Sequence, residues 1–237
     1  MKKTFTLAAI VLLVGLVCAG NVCAWEVEYN ANTGVLPTKA SPPWLLFGYN
    51  VPTPTIVDGA LRIQHDTAGG YLEYSREGYA IAAGVPVTME VRMRAATSSS
   101  TVQYISIQTR SAGAVLEIYT DHLWAPDWGG QGPVTFYGDF TTFRTIRLAY
   151  DGGTRVYAWV DNQLALSWGL SGSAGQDGVN FSSYSAAASS GSYWQYVAYS
   201  KEFLPVPEPA ALTALATLSL LTGAGLVRKR KWPTKRG

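Results

Sequence analysis

Cysteine is nearly missing from this chain: of 237 residues only Cys18 and Cys23 are thiols, and both lie in the first 24 positions. Charge is scarce as well, at 14% Asp, Glu, Lys and Arg, against roughly 25% in an average soluble protein. His65 and His122 are the sole histidines, too few for a zinc site by themselves. There is no Gly-x-Ser-x-Gly elbow, no phosphate-binding Gly-x-x-x-x-Gly-Lys loop and no His-Glu-x-x-His pair. Sustained helical periodicity is missing between residues 25 and 205, which argues against a helical or α/β domain.

Apolar and aromatic residues are abundant instead. Hydrophobic residues make up 48% of the chain, and the aromatics comprise 8 Trp, 14 Tyr and 7 Phe. That content excludes a disordered or collagen-like chain. At 237 residues the length fits one large domain or two small ones. The formal net charge of +2 conceals an asymmetry. Residues 25–205 carry ten basic and fifteen acidic side chains, whereas residues 206–237 carry six basic ones against Glu208 alone. An acidic central region argues against nucleic acid as a ligand.

The N-terminus reads as an export signal. Lys2 and Lys3 precede an apolar run from Leu7 to Val17, and Val22-Cys23-Ala24 places small residues where signal peptidase cuts. The run is too short to cross a bilayer of about 30 Å as a helix. Neither cysteine follows the small residue expected before a lipid-modified one. Cleavage after Ala24 removes both thiols, so the mature domain has no disulfide and must be held by its own core.

At the other end, Ala210–Val227 is an uncharged, moderately apolar run, followed at once by Arg228-Lys229-Arg230-Lys231. Eighteen residues at about 1.5 Å each give roughly 27 Å, enough for a short membrane-spanning helix. The basic cluster orients its C-terminal side toward the cytoplasm and makes residues 228–237 a basic cytoplasmic tail. Residues 203–209 form a linker containing Val206-Pro207-Glu208-Pro209, a stiff extended segment. The sequence Pro-Glu-Pro, then an apolar helix, then a basic tail resembles the PEP-CTERM sorting signal of Gram-negative bacteria. That resemblance implies recognition at Pro207-Glu208-Pro209 by an exosortase, removal of the helix, and delivery to the cell surface or an exopolysaccharide matrix.

Residues 25–202 read as one all-β unit. Val87, Met89, Val91 and Met93 alternate with Thr88, Glu90, Arg92 and Arg94, so one face enters a core. Strands are predicted at 44–49, 55–65, 70–75, 113–120 and 192–200, with Gln103, Ile105 and Ile107 continuing the pattern. A meander runs through 143–150, 155–160 and 164–168, turning at Asp151-Gly152-Gly153 and Asp161-Asn162. Ser182–Ser192, rich in Ser and Ala, reads as a flexible loop. About a dozen strands favour a two-sheet sandwich. The stretches Phe143–Asn162 and Ser192–Tyr199 are similar to the concanavalin A-like lectin/glucanase jelly roll, laminin-G-like members included. The resemblance implies glycan or protein binding, calcium in some members and polysaccharide hydrolysis in others.

For hydrolysis the nearest carboxylate pattern is Glu117-Ile118-Tyr119-Thr120-Asp121, with tyrosine where the glucanase branch has its middle carboxylate. On one strand Glu117 and Asp121 would stand roughly 13 Å apart, too far for either glycosidase mechanism. The expectation is therefore that the chain is not an enzyme. The best candidate for recognition is the segment from Asp121 to Gly130, where Trp124 and Trp128 offer stacking faces and Asp121 and Asp127 accept hydroxyl hydrogen bonds. Tyr157 and Trp159 form a second stripe, read as core or as one wall of a groove. His65 and His122 are read as surface or loop residues. Asp151, Asp161, Asn162, Asp177 and Asn180 are weak calcium candidates in expected loops, where turn formation is the competing explanation.

The sequence thus points to an exported, surface-sorted, non-catalytic sandwich that binds carbohydrate. The alternative is a matrix protein acting by self-association or protein binding. Mass spectrometry of the exported protein is expected to place its N-terminus at Trp25, and a thiol titration of it should give no reaction. A chain that keeps Cys23 would contradict the export reading.

Overall fold

The computed structural model describes residues 25, 27–77, 84–95, 101–108, 113–126, 132–170, 178–186 and 190–205. The export signal, the sorting motif and everything after Pro205 lie outside the described residues. In chain order the strands are β1 Val27–Asn30, β2 Leu45–Tyr49, β3 Thr55–Val57, β4 Ala60–His65 and β5 Gly70–Glu77. Next come β6 Val87–Ala95, β7 Thr101–Gln108, β8 Gly113–Ile118, β9 His122–Ala125 and β10 Val134–Tyr137. The last five are β11 Arg144–Tyr150, β12 Arg155–Val160, β13 Gln163–Gly169, β14 Gly178–Ser185 and β15 Ser190–Ser200.

These strands form two antiparallel sheets. Sheet A has the order β13-β12-β11-β6-β15-β4-β3, with β1 also paired to β15. Sheet B has the order β10-β9-β8-β7-β14-β5-β2. Period-two alternation decides which side chains meet between them. Val87, Met89, Val91 and Met93 of β6 all point inward and are at most 1% exposed. The expected meander is present as β11, β12 and β13, and its Asp161-Asn162 turn has both residues at positive φ, the twist a two-residue hairpin needs. The single strand expected over 55–65 is a hairpin instead. Asp58 and Gly59, at φ 50° and 70°, reverse the chain between β3 and β4.

At the centre of the core Phe181 of β14 is surrounded by rings. Its centroid lies 5.0 Å from Trp194, 5.1 Å from Tyr74, 5.2 Å from Trp44 and 6.5 Å from Tyr29. Every member of this group is at most 1% exposed. The cluster joins strands of both sheets and draws in the segment before β2.

The serine-rich stretch is a correction to the sequence reading. Ser182–Ser185 belong to β14 and Ser190–Ser192 open β15. The small polar side chains of Ser183, Ser185 and Ser190 fill a narrow layer between the sheets. Ser183 meets the fully buried His65 at 2.8 Å, and Ser185 contacts Thr101 and Ser190. Ser192 accepts the Trp194 indole N–H. His65 is therefore an interior residue, contrary to the surface or loop position expected for it.

Beyond β15 the chain folds back over the outer face of sheet A. The Thr88 hydroxyl donates to the carbonyl of Glu202 at 2.7 Å and accepts from the backbone N–H of Leu204 at 2.9 Å. Arg147 donates to the Leu204 carbonyl, while Phe203 packs on Tyr157 and Trp159. The Tyr157–Trp159 stripe thus lines neither the inter-sheet core nor a groove. It is the seat of this C-terminal strap.

Truncating Phe181 to alanine is expected to cost about 3–5 kcal/mol, measured by denaturant unfolding; a loss below ~1 kcal/mol would contradict its central place. Burial holds His65 below its usual pKa of 6.5, so the folded state favours the neutral ring. That stabilisation is present above the unfolded pKa and is lost as pH falls below it. The unfolding midpoint of the native protein should therefore drop more steeply between pH 7 and 5 than that of His65→Gln, and equal slopes would contradict the assignment.

Candidate functional site

The side chains that sheet B turns away from the core form rows across its strands. One row follows the cross-strand register from Phe47 on β2 to Glu73 on β5, Ser182 on β14, Tyr104 on β7, Glu117 on β8, Trp124 on β9 and Thr135 on β10. On one side of it run Tyr49, Tyr71, Tyr184 and Val102, and on the other Leu45, Ser75, Asn180, Ser106 and Val115. Each position is dictated by an inward neighbour. Leu72 and Tyr74 enter the core, so Tyr71, Glu73 and Ser75 face out; Ile105 and Ile107 do the same for Tyr104, Ser106 and Gln108.

Two adjoining hollows follow these rows. One, of about 360 Å³, is lined by residues including Tyr71, Tyr104, Glu117, Ser182 and Tyr184. The other, of about 510 Å³, is bounded by Leu45, Leu46, Phe47, Ser75 and Asn180. Both share Tyr71, Glu73 and Gln108, and so form one groove crossing several strands.

Phenols position both groove carboxylates. Tyr119 donates its hydroxyl to Glu117 Oε2 at 2.7 Å, and Tyr71 donates to Glu73 Oε2. Burial raises the Glu117 carboxyl above its ordinary range, opposed by the Tyr119 hydrogen bond and the nearby His122. Burial pushes the Tyr104 phenol up to about 12, with the Glu117 charge adding to the effect. The groove thus offers aromatic faces, protonated phenols, two carboxylates and the amides Gln108 and Asn180. Such a set suits a polyhydroxylated ligand: rings stack on apolar sugar faces, and polar groups meet hydroxyls.

Several sequence-derived candidates fall differently from expectation. Trp124 is on β9 beside Glu117 and half-buried, so it belongs to the groove row rather than to a loop. Asp121 lies in the β8–β9 turn, exposed and paired with His122 Nδ1 at 2.7 Å. Strand β8 ends at Ile118, so Glu117 and Asp121 do not share a strand face. His122, expected on the surface or in a loop, is partly exposed at the surface, where it opens β9 and stacks on Tyr119. Asp127 and Trp128 lie outside the described residues, as does Asp177. Glu73, Tyr71 and Tyr104 were missed: the alternation Tyr71-x-Glu73-x-Ser75 marks an outward face of β5 but not its neighbours.

Among the calcium candidates Asp151, Asp161 and Asn162 shape turns. Asp151 Oδ1 accepts from the backbone N–H groups of Gly153 and Arg155. Asp161 accepts from the Thr145 backbone and pairs with Arg144 at 2.8 Å. Asn162 is the second turn residue, at φ 70°. Asn180 is not in a loop: it is 5% exposed on β14 and donates to Ser106. No cluster of three or more His, Cys, Asp or Glu suited to a metal ion occurs among the described residues.

No family model and no curated protein matches the chain. Solved structures do match. A Crh5 transglycosylase in complex with NAG superposes with TM-score 0.56 at 13% identity, over 77% of this chain and 87% of that one. The carbohydrate recognition domain of Emp46p gives 0.55 at 13%, over 76% and 100%. A Bacillus licheniformis β-glucanase gives 0.51 at 11%, over 75% and 99%. At such identities the shared property is the fold, a sandwich of the glucanase and lectin jelly-roll type.

These matches correct the expectation that the chain is not an enzyme. A transglycosylase, a glucanase, a glycosidic hydrolase and a carbohydrate esterase all carry this architecture, so the fold gives no ground for excluding catalysis. The earlier exclusion also used Glu117 and Asp121 as a same-strand pair. The carboxylates that share the groove, Glu73 and Glu117, come from different strands. Carboxyl-carbon NMR should find Glu117 titrating above an ordinary glutamate, and Tyr119→Phe should raise its pKa further. An unmoved pKa in that variant would contradict the hydrogen bond's role.

Proposed function

We propose that this chain is an exported carbohydrate-recognising β-sandwich whose groove on sheet B receives an extracellular polysaccharide. The observation that carries this reading is the cross-strand row Phe47, Glu73, Ser182, Tyr104, Glu117 and Trp124, in which aromatic and hydroxyl-binding groups are interspersed along the groove and onto the neighbouring β9. Sugar rings would lie along it, with Tyr104 and Trp124 supplying stacking faces and the carboxylates accepting hydroxyl hydrogen bonds. The fold matches to a carbohydrate recognition domain and to glycan-processing enzymes support the same class of ligand. Sorting by an exosortase-type enzyme at Pro207-Glu208-Pro209, with residues 210–227 as a membrane anchor until that step, completes the proposal. The order of motif, apolar run and basic tail supports it.

A second reading, cleavage or transfer of a glycosidic bond, is favoured by the state of Glu117. A carboxyl raised above its ordinary range by burial is shifted toward the protonated form that a general acid needs to donate to a leaving-group oxygen. Glu73 is the facing carboxylate, three strand spacings or roughly 14 Å away between backbones. The two side chains would have to converge on the substrate to reach the separations that glycosidases use.

Binding of the folded protein to the producing cell's exopolysaccharide and to a glycan panel tests the first reading. Tyr104→Ala and Trp124→Ala should each weaken binding by up to about tenfold, and binding to none of the panel would contradict it. Reducing-end release separates the second reading. Release by the native protein, lost in Glu117→Gln with binding retained, establishes bond cleavage; no release on any bound glycan leaves recognition alone.

A further inference from the structure

The outer face of sheet A carries an arginine row that the groove does not use. Arg62 on β4, Tyr193 on β15 and Arg94 on β6 are successive cross-strand partners, and Arg92 stands on the same face two residues along β6. All three arginines are half-buried. The Arg94 guanidinium lies 4.1 Å from the Tyr193 centroid and 5.4 Å from that of Phe143, and its buried Nε has no hydrogen-bond partner. Arg92 is held by hydrogen bonds to Gln195 at 2.8 Å and Thr145 at 3.2 Å. Beside Arg92 on this face, Glu90 pairs with Arg147 at 2.6 Å. Among the described residues no carboxylate forms an ion pair with Arg62, Arg92 or Arg94. Arg92 and Arg94 are thus held in place with no carboxylate partner among the described residues, and Arg62 stands beyond Tyr193 on the same face, in a region with fifteen acidic and ten basic residues.

The chain also leaves the domain from this face. Thr88 and Arg147 hold Leu204 against the sheet, and only residues 206–209 then separate Pro205 from the uncharged run Ala210–Val227. Five residue steps reach at most about 17 Å whatever their conformation. A tether this short keeps its face of origin close to whatever holds the run.

We infer that, while residues 210–227 span a bilayer, the outer face of sheet A rests on the membrane surface with Arg62, Arg92 and Arg94 against lipid phosphates. The groove of sheet B, on the opposite face of the sandwich, then points away from the membrane toward extracellular polymer. Guanidinium groups suit phosphate because their planar N–H forks match its oxygens. This inference rests on the proposed anchor reading of residues 210–227 and adds a lipid-facing surface to it.

The test is arginine labelling with phenylglyoxal on the full chain, read by mass spectrometry, in nanodiscs of phosphatidylcholine with one-third phosphatidylglycerol and in detergent micelles. Labelling of Arg62 and Arg94 should fall at least threefold in the anionic nanodiscs and recover in about 1 M salt, where screening is short-ranged. Inorganic phosphate or a soluble polyuronate added to the micelles should give no such protection. Equal labelling in lipid and micelle, with the chain retained in nanodiscs through a high-salt wash, would overturn the membrane-facing surface and leave the anchor intact. A chain that the wash removes would overturn both. Protection by polyuronate alone would assign the row to an acidic glycan, and protection by phosphate alone to a local anion site; either would overturn the inference.

Discussion

Closure of two sheets over the rings around Phe181 is the constraint on which the rest of the molecule depends. No described residue offers a disulfide, so the strands are held in register by packing and by their ladders. Phe181 and Trp194 must point inward, and period-two alternation then sends Asn180, Ser182 and Tyr184 to one surface and Tyr193 and Gln195 to the other. A one-residue slip in β14 would bury the groove side chains and expose the core. The geometry of the candidate site is therefore a consequence of the core.

The polar layer beside that cluster follows from the same constraint. Where large apolar residues are missing, His65, Gln103, Ser183, Ser185 and Ser190 occupy the space between the sheets. Buried polar groups are costly unless paired, and most of these are joined by short hydrogen bonds. Serine supplies small volume with a hydroxyl that can serve as donor or acceptor, which suits close sheet packing.

Much of the fold was legible in the sequence because large apolar residues repeat with period two. Strand β6 and the β11–β13 meander were read that way, and they occur as expected. Strand β14 was illegible because Asn, Ser and Tyr alternate there with few large aliphatics, so burial leaves no apolar stripe. The site was legible only in pieces. Glu117 and Trp124 are local to one segment and were singled out. Their partners Glu73, Tyr71 and Tyr104 arrive through the non-sequential order β5-β14-β7-β8, which no local pattern encodes. Among the calcium candidates Asp and Asn signalled turns, and carboxylate oxygens of Asp151 and Asp161 accept hydrogen bonds that shape them.

The two outer surfaces differ in chemistry as well as in position. One presents Glu73 and Glu117 among aromatic rings, while the other presents Arg62, Arg92 and Arg94 on the sheet that also carries the C-terminal strap. A domain with such a division can meet one partner on each side. The most direct measurement of the central claim is an isotope-edited NMR titration with oligosaccharides prepared from the producing cell's exopolysaccharide. The account predicts that the largest shifts fall on Glu73, Tyr104, Glu117 and Trp124 of the sheet B groove. Shifts confined to sheet A, or none at saturating ligand, would contradict it.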